Sequence, residues 1–179
     1  MAVTSTAVVL TLIGLAIFGF GSQLIMLGGS FYYALAGIAF VITAVLLFQR
    51  NKVALHFYAA FVLSTLLWAL WEVGFDWWQL GPRGGFIILV GMWLLMPWIR
   101  KPLGFTSPTG TSYGANAVPL LTAVLVSVGA AAFAMTQDPH DLEGELSSEI
   151  VTAAPNYGND VPDNEWHQYG RTSYGQRYS

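Results

Sequence analysis

The chain has 179 residues, of which 55% are hydrophobic and only 9% charged, and its formal net charge is −3. Ordinary globular domains carry about 25% charged residues, so this composition excludes a typical soluble monomer. The absence of cysteine excludes disulfides, thiolate catalysis and cysteine metal sites, but it does not identify a compartment. The lipid bilayer, and not nucleic acid, is the expected partner.

Charge divides the chain into two parts. Residues 1–135 carry five cations and two acids, for a net charge of +3, whereas residues 136–179 carry two cations and eight acids, for −6. The first part is almost continuously apolar, which predicts an all-α integral membrane domain over 1–135.

Five apolar runs predict a bundle of five transmembrane helices. They are residues 7–27, 31–48, 53–70, 85–98 and 118–135. Four of them have the length that crosses a hydrocarbon core of about 30 Å. The fourth run is shorter than the roughly 17 residues usually needed, so it must borrow flanking residues, tilt or thin the bilayer. A cleaved signal peptide is the alternative for the first run, but no Lys or Arg precedes it.

Four cations predict the orientation of these helices. Arg50 and Lys52 lie between the second and third runs, and Arg100 and Lys101 follow the fourth. Because Lys and Arg are enriched in cytoplasmic loops, both segments are predicted to be cytoplasmic. Five crossings then place the amino terminus in the cytoplasm, and they place residues 68–83 and the acidic tail on the outer side.

Residues 68–83 hold four tryptophans, both acids of the first part and one arginine. Glu72 and Asp76 would share a helix face if the third helix continued that far, and they could handle protons for a quinone head group. Tryptophan rings could form a wall for that quinone. The favoured alternative is an interfacial tryptophan belt with acids that are solvated or paired with Arg83, since no sequence motif defines a quinone site. The candidates for quinone proximity are Trp71, Glu72, Asp76, Trp77, Trp78 and Arg83.

The tail is predicted to contain a linker followed by the start of another domain. Residues 136–165 are rich in Asp, Glu, Pro, Asn and Ser, which is typical of an extended acidic linker. Asp138 to Glu145 offers oxygen ligands at irregular spacing and lacks the glycine and terminal glutamate of an EF-hand loop, so no metal site is predicted. Aromatic residues return at 166–179, too densely for a linker.

Two parts of the chain, the apolar part and the tail, together resemble one family. Residues 71–78, Trp-Glu-Val-Gly-Phe-Asp-Trp-Trp, with Pro82 and Arg83, look like a signature between the third and fourth spans of the membrane-bound pyrroloquinoline-quinone (PQQ)-dependent glucose dehydrogenases. Residues 28–33, Gly-Gly-Ser-Phe-Tyr-Tyr, look like that family's turn before the second span. Residues 166–171, Trp-His-Gln-Tyr-Gly-Arg, resemble the opening of its large periplasmic β-propeller.

The resemblance implies an enzyme of the bacterial inner membrane that oxidises an aldose such as glucose at C1 and passes two electrons to ubiquinone. It implies that the propeller binds PQQ and calcium, so no catalytic, cofactor-binding or metal-binding residue is expected in this chain. Residues 166–179 would be the start of a truncated propeller, and the tail would be periplasmic. Ubiquinone and the PQQ-dependent propeller domain are the expected partners.

Two other functions compete with this one. The chain could be a separate small membrane subunit that anchors a distinct PQQ-dependent polyol or sugar dehydrogenase chain. A transporter or channel would instead need intramembrane charges, discontinuous helices or an internal repeat, and the sequence reveals none of them.

Overall fold

The computed structural model describes residues 1–104 and 117–137, and every regular element within these ranges is helical, which confirms the predicted all-α class. In chain order the helices are α1 (Ala2–Met26), α2 (Tyr32–Phe48), α3 (Val53–Val73), α4 (Trp77–Leu94), α5 (Pro97–Arg100), continued by a 3-10 turn (Lys101–Leu103), and α6 (Val118–Ala134). The predicted linker beyond Gln137 and the predicted domain at 166–179 lie outside the described residues.

Within the described ranges, two helices are long and apolar enough to cross a membrane. They are α1 and α3, and a third span results if α4 and the segment Pro97–Leu103 are counted as one. The helices α2 and α6 are also apolar, but each has 17 residues. At about 1.5 Å per residue each measures about 26 Å, slightly less than a hydrocarbon core of about 30 Å. That the chain crosses the membrane five times therefore stays a prediction.

Glycines let α1 and α2 pack as a close antiparallel hairpin. A methyl group added to Gly37 would lie 2.5 Å from the backbone nitrogen of Phe18, and one added to Gly21 would lie 2.5 Å from that of Ala34. Small residues allow this approach of two backbones, and helix association in lipid depends on such packing rather than on the hydrophobic effect. The α2 helix also packs against α3.

The larger core cluster includes residues from all six helices, and much of it lies toward one end of the bundle. We call this the basic end, because Arg50, Lys52, Arg100 and Lys101 lie there; the side chain of Lys52 lies against Gly104. Phe40 and Tyr58 are fully buried in this core. The Tyr58 hydroxyl donates a hydrogen bond of 2.8 Å to the carbonyl oxygen of Ile87, which ties α3 to α4.

The opposite end carries Glu72 and Asp76, and we call it the acidic end. The α3 helix stops at Val73, and Gly74 has a φ of +61°, which favours glycine. A new helix, α4, then starts at Trp77. Glu72 and Asp76 consequently belong to different segments, and the third helix does not continue far enough for them to share one helix face.

The boundaries predicted for the fourth span were wrong. The α4 helix begins at Trp77 rather than at residue 85, because the Asp76 carboxylate caps it and Pro82 is accommodated inside it. It ends at Leu94, and the following segment Pro97–Leu103 bends away by 63°. Pro97 occupies the first turn of α5, where the missing N–H costs little. This bend is a discontinuity that the sequence did not reveal.

Candidate functional site

A groove with a volume of about 500 Å³ opens between α2 and α3 toward the acidic end. Tyr32, Leu35 and Ala36 line it from α2, and Thr65, Trp68, Trp71 and Glu72 line it from α3. This volume lies in the range of about 300–1,000 Å³ that is typical of small-molecule sites. Most of the lining is apolar, with a few polar atoms that could orient a ligand.

Tyr32 is the first residue of α2, and two contacts attach it to α3. Its ring stacks on Trp68, with centroids 3.9 Å apart and 2° between the ring planes. Its hydroxyl and the Oγ1 of Thr65 form a hydrogen bond of 2.8 Å. The backbone N–H of Tyr32 also donates to the Oγ of Ser30 at 3.2 Å. These contacts present a flat aromatic surface and a hydroxyl pair to the groove.

An ion pair joins α3 to α4 beside this groove. The Nε of Arg83 lies 3.1 Å from the Oε2 of Glu72, and the two side chains are 24% and 35% exposed, respectively. Arg83 also donates from Nη1 to the carbonyl oxygen of Gln79 at 2.9 Å. The pairing agrees with the alternative considered for Glu72, a helix-end acid paired with Arg83. Because the pair is partly exposed, its contribution to stability is expected to be small, about 0–1 kcal/mol.

Asp76 has a different role from Glu72. It is 5% exposed and forms the N-cap of α4, where its Oδ1 accepts the backbone N–H of Trp78 at 3.0 Å. Its Oδ2 accepts a hydrogen bond from the Gln79 Nε2 at 2.8 Å. A carboxylate at this position satisfies orphan N–H groups and interacts favourably with the helix dipole. Asp76 is thus a buried structural residue, not a solvated acid.

The structure brings together part of the predicted set. Trp71 and Glu72 line the groove, and Arg83 reaches it through its ion pair with Glu72. Asp76, Trp77 and Trp78 do not line it. Trp77 instead packs against the small cluster that contains Ala69, Leu80 and Ala134, and Trp78 is 78% exposed.

Sequence reasoning missed Tyr32 and Thr65 as site residues. They are 33 positions apart, and only the antiparallel packing of α2 on α3 joins them. One signal was present in the sequence. Tyr32 lies near the start of the second apolar run and Trp68 near the end of the third, and in antiparallel helices these two ends lie at the same membrane surface. That signal indicates a common depth, but it does not predict a stacked pair.

The side chains that line this groove are suited to binding a ligand. Within 1–104 and 117–137, no group of three or more His, Cys, Asp or Glu side chains could hold a metal ion. The groove offers aromatic faces, two hydroxyls in contact with each other and one carboxylate that is already paired. Such a lining suits a planar, neutral ligand that is mostly apolar.

The length and composition of the apolar helices are typical of a helical membrane protein, and the proteins to which the chain is similar are dehydrogenases or their subunits. The chain is 40% identical to a quinoprotein glucose dehydrogenase of Gluconobacter oxydans over 174 residues, which cover 97% of the chain and 21% of that protein. It is 34% identical to quinoprotein glucose dehydrogenase A of Acinetobacter calcoaceticus over 179 residues, covering 98% of the chain and 21% of the relative.

The match to a third, shorter relative covers a larger share of that relative's length than the two matches above. The glycerol dehydrogenase small subunit of Gluconobacter oxydans is 36% identical over 96 residues, which cover 52% of the chain and 76% of that subunit. No family model matches the chain, and no solved structure matches it.

The chain belongs to the family formed by the N-terminal regions of membrane quinoprotein glucose dehydrogenases and by the glycerol dehydrogenase small subunits. This confirms the resemblance described above. The chain spans about a fifth of the length of the glucose dehydrogenases that it matches.

Proposed function

We propose that this chain is the membrane anchor of a PQQ-dependent glucose (aldose) dehydrogenase and gives ubiquinone access to that enzyme. The observation that carries the anchor role is the match of 97% of the chain, at 40% identity, to a quinoprotein glucose dehydrogenase. Residues 1–135 anchor the protein, 136–165 form a periplasmic linker, and 166–179 begin the propeller. PQQ and calcium are held by the propeller.

The anchor crosses the bacterial inner membrane five times in this proposal, with the amino terminus in the cytoplasm. The four cations of the basic end support a cytoplasmic location for that end. Because the chain has no cysteine, single cysteines can report topology without background. We expect a membrane-impermeant maleimide to label Trp78→Cys in spheroplasts, and to label Asn51→Cys only after the membrane is permeabilised. The reverse pattern would invert the proposed orientation.

Ubiquinone enters the groove between α2 and α3 in this proposal. Reduction of the quinone takes two electrons, which come from the reduced PQQ of the propeller, and two protons. The groove supports this assignment because it opens toward the end where the tail would leave the membrane, and because aromatic and hydroxyl groups line it. Glu72 is the carboxylate that lines the groove, and Arg83 forms an ion pair with it.

Quinone titration of the purified chain tests this assignment. A short-chain ubiquinone should quench the tryptophan fluorescence in a saturable manner, because Trp68 and Trp71 line the groove. Ser64→Phe should abolish saturable quenching by filling the groove, whereas the neighbouring Leu63→Phe should not, since Leu63 is not part of the lining. Absence of saturable quenching in the unaltered chain would remove the quinone role and leave the anchor role intact.

A second candidate function rests on the similarity to a glycerol dehydrogenase small subunit, of which the chain covers 76%. The chain would then be a separate subunit that holds a distinct PQQ-dependent dehydrogenase chain at the membrane. Co-expression with a PQQ-dependent polyol dehydrogenase tests it. Stable co-purification of the intact dehydrogenase with the tagged chain is the result that this function requires, and independent migration of the two proteins would exclude that pairing.

A further inference from the structure

A second groove runs between α1 and α4 at the basic end of the bundle. It has a volume of about 360 Å³. Ala2, Val9 and Ile13 line it from α1, and Phe86, Val90 and Trp93 line it from α4. The distance along α1 from Ala2 to Ile13 is about 16 Å, which is close to half of a hydrocarbon core of about 30 Å. The groove therefore has the length of one leaflet.

The sides of this groove are fixed by contacts between α1, α4 and α5. The indole N–H of Trp93 donates to the Oγ1 of Thr6 at 3.0 Å, which connects α4 to α1. The ring of Trp93 also meets Trp98 of α5 edge to face, with centroids 5.6 Å apart. Because α5 also contacts α1, the segment Pro97–Leu103 lies near the end of the groove.

The charge at this end of the groove is positive. Arg100 and Lys101 follow Trp98 closely, and Ile99 and Leu103 are buried, which fixes the bent segment against the bundle. The acids in the described part of the chain are Glu72 and Asp76, and both lie at the opposite end. The Nε of Arg100 is buried and has no hydrogen-bond partner among residues 1–104 and 117–137. No described carboxylate is therefore available to neutralise these two cations.

We propose that the groove between α1 and α4 binds one anionic phospholipid, with an acyl chain along the groove and its phosphate group against Arg100 and Lys101. The apolar lining, the leaflet length and a pair of cations that no described carboxylate neutralises together match this one class of molecule. Basic sites between transmembrane helices bind anionic lipid head groups by this chemistry. Both cations lie on the segment that bends by 63° after α4.

Native mass spectrometry of the purified chain with phosphatidylglycerol and with phosphatidylcholine tests the proposal. Each cation near a membrane surface contributes about fivefold to the affinity for an anionic lipid, so phosphatidylglycerol should bind about 25-fold more tightly than phosphatidylcholine. The double variant Arg100→Gln/Lys101→Gln should abolish this preference. Arg83→Gln, which removes a cation at the acidic end, should leave the preference unchanged.

A matched pair of variants tests the groove itself. Val9 lines the groove and Val8 does not, although both are exposed. Val9→Phe should weaken the binding of both lipids, and Val8→Phe should leave it unchanged. Equal binding of the two lipids by the unaltered chain would overturn the proposal, as would equal effects of Val8→Phe and Val9→Phe. Displacement of phosphatidylglycerol by ubiquinone would also overturn it, because the groove would then hold an isoprenoid chain.

One measurement needs no variant and decides the outcome if the double variant does not fold. Bromine atoms quench tryptophan fluorescence on contact, and Trp93 lies in the groove wall. Phosphatidylglycerol with brominated acyl chains should quench the unaltered chain at lower lipid fractions than phosphatidylcholine with the same chains. Identical quenching by the two lipids would overturn the proposal.

Discussion

The close packing of α1 on α2 predicts that Gly37→Val destabilises the protein. The added Cβ would lie 2.5 Å from the Phe18 nitrogen and 2.7 Å from the Gly14 oxygen. Carbon contacts are normally about 3.5–4.0 Å, so the two helices would have to separate by about 1 Å. Because the obstructing atoms belong to the backbone, a rotamer change cannot relieve the clash. We expect a loss of about 2–3 kcal/mol, toward the upper end of the range for overpacking.

Gly19→Val provides the matched control on α1. A side chain at Gly19 meets nothing within 4 Å. Valine and glycine differ by only a few tenths of a kcal/mol in helix propensity, about 0.3 kcal/mol, so this variant should match the unaltered chain within about 0.5 kcal/mol. Unfolding by SDS in mixed micelles, followed by tryptophan fluorescence, measures both free energies. Equal stabilities of the two variants would refute the close-packed hairpin.

Three further predictions concern individual polar contacts, each measured by the same unfolding assay. Asp76→Ala removes the cap of α4 and should cost about 1–2 kcal/mol, whereas Asp76→Asn should recover most of that loss. Tyr58→Phe leaves the Ile87 carbonyl without its side-chain donor and should cost about 0.6 kcal/mol, the average for side-chain hydrogen bonds within membrane proteins, and at most about 1.7 kcal/mol; no loss would mean that the bond contributes nothing. A double-mutant cycle with Glu72→Gln and Arg83→Gln should give a coupling below about 1 kcal/mol, and a larger value would contradict the partly exposed geometry.

The sequence predicted the helices better than their ends. Four of the five apolar runs correspond closely to α1, α2, α3 and α6, because continuous hydrophobicity is a strong signal for a membrane helix. The start of α4 was missed because Gly81, Pro82 and Arg83 are typical of a loop. The carboxylate of Asp76, directly before Trp77, was the opposing signal, since aspartate is a preferred N-cap.

The candidate site was only partly predictable for a different reason. Trp71, Glu72 and Arg83 are close in sequence, so local reasoning could group them, and the ion pair between Glu72 and Arg83 was considered in advance. The pairing of Tyr32 with Thr65 and Trp68 depends on how α2 packs against α3. That packing is set by contacts across the bundle, which periodicity within one run does not specify.

Photoaffinity labelling with an azido-ubiquinone tests most directly whether this membrane domain holds quinone between α2 and α3. After irradiation and digestion, mass spectrometry should locate the label within residues 30–36 and 61–72, the two stretches that form the groove. Excess ubiquinone and the variant Ser64→Phe should both suppress this labelling, and Leu63→Phe should not. Labelling that resists competition, or that falls on residues 2–13 and 86–93 instead, would contradict the assignment.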